Sequence, residues 1–92
     1  MVNAVILLHV EREMVNDVAQ SLAGMRGISE VYSVSGRFDL VAIIRVKDND
    51  HLVDIVTNHM RKVSGILSTE TMLAFQAFSQ HDLDSMFSIG LD

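Results

Sequence analysis

The chain contains no cysteine, no proline and no tryptophan, and each absence narrows what it does. Without cysteine there is no disulfide framework, no thiolate metal site and no cysteine nucleophile. A small protein that folds without cross-links reads as cytoplasmic. Aromatic residues make up only 5% of the chain, which leaves little for stacking sugars or single-stranded nucleic acid. Basic residues are also scarce: 7 Lys+Arg stand against 12 Asp+Glu, a formal net charge of −5. No basic cluster is denser than Arg61-Lys62, so direct binding to nucleic acid is not expected. Long apolar runs are missing too. The longest, Ala4–Leu8 and Leu40–Ile44, have five residues each, far short of the roughly 20 that span a bilayer. The N-terminus lacks the basic region and apolar stretch of a signal peptide, and no membrane partner is expected.

What is present is hydrophobic for its size. The 92 residues make one domain, 1–92, with 78–92 as a C-terminal tail. A chain this short buries only about 60–65% of its unfolded surface. Yet 49% of its residues are hydrophobic, with a mean hydropathy of +0.30, a surplus best buried against another subunit.

The apolar spacing predicts four strands and two helices. Val2–Val10 and Phe38–Val46 are rich in Val, Ile and Leu, as buried strands are. Met14–Met25 carries Val15, Val18, Ala19 and Leu22 on one stripe with polar residues opposite, and Gly24 or Gly27 can end that helix in the left-handed conformation. Ile28–Ser35 reads as a strand, and Gly36-Arg37 as the centre of a tight type II′ hairpin turn. Asp48 or Asn49 can cap a second helix bearing Leu52, Ile55, Val56, His59 or Met60, and Val63. Arg61 and Lys62 complement its dipole and Gly65 closes it. Ile66–Phe78 reads as a fourth strand long enough to project beyond its neighbours, and Leu83, Met86 and Phe87 are spaced like one helical turn.

The order β-α-β-β-α-β points to an α+β, ferredoxin-like α/β sandwich. Its antiparallel sheet is ordered 4-1-3-2, with both helices on one face. Strands one and three are then central, and their apolar residues do not alternate: Val5, Ile6, Leu7 and Leu8, then Leu40, Val41, Ile43 and Ile44. Helices cover one face only, so residues of one parity lie bare. A soluble monomer does not expose such a patch. The expectation is a two-fold dimer through the open sheet face.

Catalytic and metal-binding patterns are thin. His9, His51, His59 and His81 show no zinc-type spacing, and there is no nucleophile elbow or phosphate loop. No metal, cofactor or catalytic residue is assigned. His9 and Glu70 are potential neighbours across strands one and four, most simply as a hydrogen bond or ion pair. Two features carry more. Gly36-Arg37-Phe38-Asp39 is either a plain turn with solvated charges or part of a site. Thr69-Glu70-Thr71 is either ordinary strand sequence or a pair of hydroxyls on one face with Glu70 on the other. A zwitterionic amino acid needs an acceptor for its ammonium and donors for its carboxylate. Asp39 can supply the first, and the turn amides with the threonine hydroxyls the second.

The stretch from Val31 to Leu52, with Gly36-x-x-Asp39, an apolar strand, a polar turn and a helix in that order, resembles the RAM module of the Lrp/AsnC feast/famine transcriptional regulators. Gly65-Ile66 followed by Thr69-x-Thr71 is similar to that family's entry to its last strand. The resemblance runs from about Val2 to Phe78. It implies dimers through the open sheet face that assemble into octamers or similar rings. It also implies an amino acid or related small effector in the cleft between dimers. Gly36, Arg37, Phe38, Asp39, Thr69 and Thr71 would then bind the effector, with Asp39 on its ammonium. Arg37 would either contact the ligand or pair between dimers. The family's helix-turn-helix domain has no counterpart in these residues, so the resemblance is to stand-alone RAM proteins. Those would act on transcription by co-assembling with full-length Lrp/AsnC regulators.

Two other readings use the same fold. A small dimeric ferredoxin-like enzyme, of monooxygenase or isomerase type, would show a large pocket under the helices with His9 or His59 inside it. A purely structural ring-forming protein would show no ligand response. An ACT-type amino-acid-binding domain shares the element order, but Glu11-Arg12-Glu13 stands where its glycine-rich loop belongs.

Overall fold

The computed structural model describes residues 1–78. The helical turn expected around Leu83, Met86 and Phe87 lies outside the described residues, as does His81. Six elements follow the expected order: β1 (Val2–Val10), α1 (Val15–Ala23), β2 (Ile28–Ser33), β3 (Leu40–Val46), α2 (Asn49–Asp54) and β4 (Ile66–Leu73). The four strands form one antiparallel sheet in the order β2-β3-β1-β4. This is the split β-α-β arrangement predicted from the apolar pattern.

The core lies between helices and sheet. Alternation on β1 sends Ala4, Ile6, Leu8 and Val10 inward, and on β3 Leu40, Ala42, Ile44 and Val46. The α1 stripe meets them, with Val18 and Leu22 fully buried and Val15 and Ala19 packed at the edge. A 3₁₀ turn, Arg12–Met14, leads into α1. The chain leaves α1 through right-handed Gly24 and reverses at Gly27, which has φ +96°.

Asp48 caps α2, its Oδ1 accepting the His51 N–H at 3.0 Å. After α2 the chain winds wider, through a π-turn at Ile55–His59 in which Met60 N–H reaches Ile55 O, and then a 3₁₀ turn at Met60–Lys62. The extra residue in the π-turn decides which side chain faces inward. Met60 is buried beside Leu52 and Ile55, and His59 is left outside.

Two expected boundaries change. β4 ends at Leu73, opposite Ala4, and not at Phe78. Only Asn3 and Val2 of β1 remain beyond that pair, too few to partner a strand five residues longer, and the last backbone bond is Ala74 N–H to Asn3 O at 2.9 Å. The β2–β3 register is centred on Gly36-Arg37, as a two-residue turn requires, and Gly36 has φ +115°. The last backbone bond, however, is Val34 N–H to Asp39 O at 3.1 Å. The connection is therefore an open Ser35–Phe38 loop and not a closed type II′ turn.

On the face away from the helices, Val5 and Leu7 of β1 sit opposite Ile43 and Val41 of β3. Tyr32 and Met72 flank them on the outer strands, at 48% and 47% exposure. Both central strands thus carry large aliphatic residues on both faces, only one of which the helices cover.

Candidate functional site

The site begins where β3 meets the hairpin loop. Asp39 donates its N–H to Leu8 O (2.9 Å), and its Oδ2 accepts the Val10 N–H (3.0 Å). Asp39 therefore fastens the end of β1 through both main chain and side chain. His9 lies alongside, Nδ1 3.8 Å from Asp39 Oδ2, and its ring stacks on Phe38 with centroids 4.6 Å apart. Both side chains keep about half their surface open, 42% for His9 and 45% for Asp39. The partner of His9 is thus Asp39 and not Glu70, which sits opposite Leu7 while Ser68 faces His9. No signal in the sequence alone fixes that β1–β3 register.

The loop that precedes Asp39 is open. A Cβ on Gly36 would meet nothing within 4 Å, so its glycine answers only to the positive φ. Arg37 is exposed and has no ion-pair partner among the described residues.

Thr69 and Thr71 lie elsewhere. They pair with Leu8 and Ile6, whose side chains face the helices, whereas Glu70 pairs with Leu7 on the open face. The hydroxyls therefore share one face, as alternation requires. Asp39 has the parity of Val41 and Ile43, on the opposite face. β3 and β4 also flank β1 from opposite sides, about 10 Å apart at ordinary strand spacing. One chain does not bring Asp39 and the threonines together. Thr69 instead borders a cleft of about 300 Å³ with Ser68 and Arg61, so Arg61, expected only as a dipole partner, is a further cation beside a predicted hydroxyl.

A larger cleft of about 400 Å³ opens at the other end of the sheet and includes His51, Asp54 and His59 in its lining. His59 Nε2 is 3.0 Å from Asp54 Oδ2, and His51 Nδ1 is 2.6 Å from Asp48 Oδ1. Both aspartates are held below the usual carboxylate range. The cause is the His51 side chain for Asp48, and chiefly the Asn58 amide, then His59, for Asp54. Of the two histidines that an enzyme reading would place in such a pocket, His59 lines it and His9 does not, and the lining contains no Ser, Thr or Cys hydroxyl or thiol beside His59. Among the described residues no three His, Asp or Glu converge as metal ligands do, and no helix is long and apolar enough to cross a membrane.

The two helices on one face of a four-stranded antiparallel sheet define a ferredoxin-like α+β domain. The chain belongs to the Lrp/AsnC ligand binding domain family, whose profile matches residues 3–83. Among individual proteins, it is 38% identical to TTHA0845 from Thermus thermophilus, covering 87% of this chain and 100% of that one, with a TM-score of 0.81. It is 32% identical over 59 residues to PH1916 of Pyrococcus horikoshii, an uncharacterized HTH-type transcriptional regulator. That match takes in 64% of this chain and 39% of the regulator, so the chain spans well under half the length of this curated relative. The same fold recurs at 12% identity in NMB0573 from Neisseria meningitidis, a transcriptional regulator solved in complex with L-Met. There the TM-score is 0.77, over 86% of this chain and 53% of that one.

Proposed function

We propose that this chain is a non-catalytic module that binds an amino acid, or a related small effector, at a site completed between subunits. The observation that carries the reading is the separation of its polar groups. Asp39 offers a carboxylate whose Oδ1 is not engaged by any described residue, beside the loop amides of Gly36, Arg37 and Phe38. Thr69 and Thr71 offer hydroxyls on the opposite face of a different strand. A zwitterion needs both kinds of group, and only a second chain can bring the second set to the first. The apolar face of Val5, Leu7, Val41 and Ile43 supplies the first association, a two-fold dimer. Further contacts between dimers close a ring, an octamer or similar, and place the effector in the cleft between them. Regulation of transcription then passes through co-assembly with DNA-binding members of the family. The NMB0573 complex supports the ligand class, since the same fold there carries an amino acid.

The test is a thermal-denaturation panel with each of the twenty amino acids on wild type and Asp39→Asn. Asparagine is chosen over alanine because its side-chain oxygen can still accept the Val10 N–H while the charge is gone. A ligand at about 100 times its dissociation constant adds roughly 2.7 kcal/mol, a shift of several degrees for a domain this size. The expected result is a shift with one or a few amino acids in wild type and none in Asp39→Asn. No shift across the panel would leave a structural ring as the better reading.

A further inference from the structure

The end of the sheet remote from Asp39 carries a cleft that effector binding leaves unused. It forms where the turn after α1 presses against β3 and the π-turn. A Cβ on Gly27 would lie 2.5 Å from Ile55 Cδ1 and 2.8 Å from Val46 Cγ1, so only a glycine backbone fits there. Gly27 O accepts the Arg45 N–H at 2.8 Å, which ties the turn to β3. The space left is about 400 Å³. Its floor is apolar, with Val46 and Ile55 buried and Met25 half-buried.

The rim is cationic. Arg26 and Lys47 border the cleft, two of only 7 Lys+Arg in a chain of net charge −5. Arg45, also in its lining, has the parity of the open sheet face that it shares with Asn3 and Tyr32. Among the described residues none of the three has a carboxylate within ion-pair distance. The nearby carboxylates are already engaged: Asp48 with His51, and Asp54 with the Asn58 amide at 2.7 Å and with His59. A basic rim in an acidic protein draws anions, and an apolar floor below it draws hydrocarbon.

We propose that this cleft binds a small monocarboxylate with an aliphatic body, its carboxylate at Arg26 and Lys47 and its hydrocarbon on Met25, Val46 and Ile55. The floor separates such a ligand from a bare inorganic anion, which has nothing to place there. Asp54 at the rim disfavours dianions more than monoanions. Asp54, the one carboxylate in the lining, is taken up by the Asn58 amide and His59, so no free acceptor there asks for an ammonium group, which distinguishes this ligand from an amino acid. Because Asp39 precedes β3 and Val46 ends it, this cleft and the effector site stand or fall separately.

The experiment is an NMR titration of the full chain with sodium 4-methylpentanoate, run alongside inorganic phosphate. The expected result is saturable movement of the Gly27, Val46 and Ile55 signals, with the Gly36–Asp39 signals unmoved. The Arg26→Gln/Lys47→Gln double variant should bind at least tenfold more weakly. Both side chains are exposed, so the variant's unperturbed spectrum verifies its fold. Absence of saturation, equal movement of the same signals by phosphate, movement confined to Gly36–Asp39, or unchanged affinity in the folded double variant would each overturn the proposal.

Discussion

Asp39, proposed to meet the effector, is first of all a structural anchor. Its Oδ2 holds the Val10 N–H, and its main-chain N–H holds Leu8 O, so the residue is structural before any ligand arrives. In the proposed function the same anchoring would serve binding, since a carboxylate fixed at one oxygen presents the other at a defined place. Asp48 is a simpler case. Its carboxylate accepts from the His51 backbone and ring, and the ring contact is the larger cause of its depressed pKa. A carboxyl whose folded pKa lies below its unfolded one contributes stability that is complete above the unfolded value. That contribution is lost as pH falls through the folded one. Asp54 shifts the same way. The acid-labile contribution of both therefore disappears only below about pH 4. Melting temperatures between pH 6 and pH 3 should fall more steeply for wild type than for the Asp48→Asn/Asp54→Asn double variant, the two curves converging at the acid end. Parallel curves would show that neither pair contributes.

Turns and helix irregularities show where local pattern stops being informative. The glycines at 27 and 36 look alike in sequence, and both adopt positive φ, +96° and +115°. Their surroundings differ. Gly36→Ala meets open space and should lose only the backbone term, about 1–2 kcal/mol. Gly27→Ala must also displace Ile55 and Val46 from the core, adding about 1–3 kcal/mol of overpacking. Urea denaturation should rank Gly27→Ala clearly below Gly36→Ala, and equal midpoints would contradict the close approach at Gly27. The strands and α1 were legible because their apolar spacing reflects burial directly: Val18 and Leu22 point where the stripe says. The second helix was legible only as a helix. Leu52, Ile55 and Val56 fit an α-helical stripe that leaves His59 and Met60 undecided, and one π-turn buries Met60 and brings His59 to Asp54. The hairpin was readable to its centre but not to its width. Asp39 bonds to β1 as well as to Val34, and such long-range partners leave no mark on the loop's own residues.

At the scale of the whole molecule, the two faces of the sheet explain why the candidate site was only half legible. Residue types picked out Asp39 and the threonines, and the expected 4-1-3-2 order already set β1 between their strands, but pattern did not reveal that they face opposite ways. The same two-faced sheet motivates association. Val5, Leu7, Val41 and Ile43 are already partly covered by their neighbours, so burying the rest recovers at most about a third of 1.5–3 kcal/mol each, about 2–4 kcal/mol per protomer. Asn3 Oδ1, on the same face, has no hydrogen-bond partner among the described residues. Leu7 is central, flanked by Val41 on β3 and Glu70 on β4. Leu7→Glu would set a second carboxylate beside Glu70 and in the middle of the packed face, where a buried unpaired charge opposes docking. Leu7 is not part of the helix-side core, so the fold itself should persist. Sedimentation equilibrium should give wild type at least twice the 10.2 kDa chain mass, and Leu7→Glu a monomer with wild-type-like circular dichroism. If the variant still associates as wild type does, the open sheet face is not the interface. The polar halves of the site would then have to meet by some other packing of subunits.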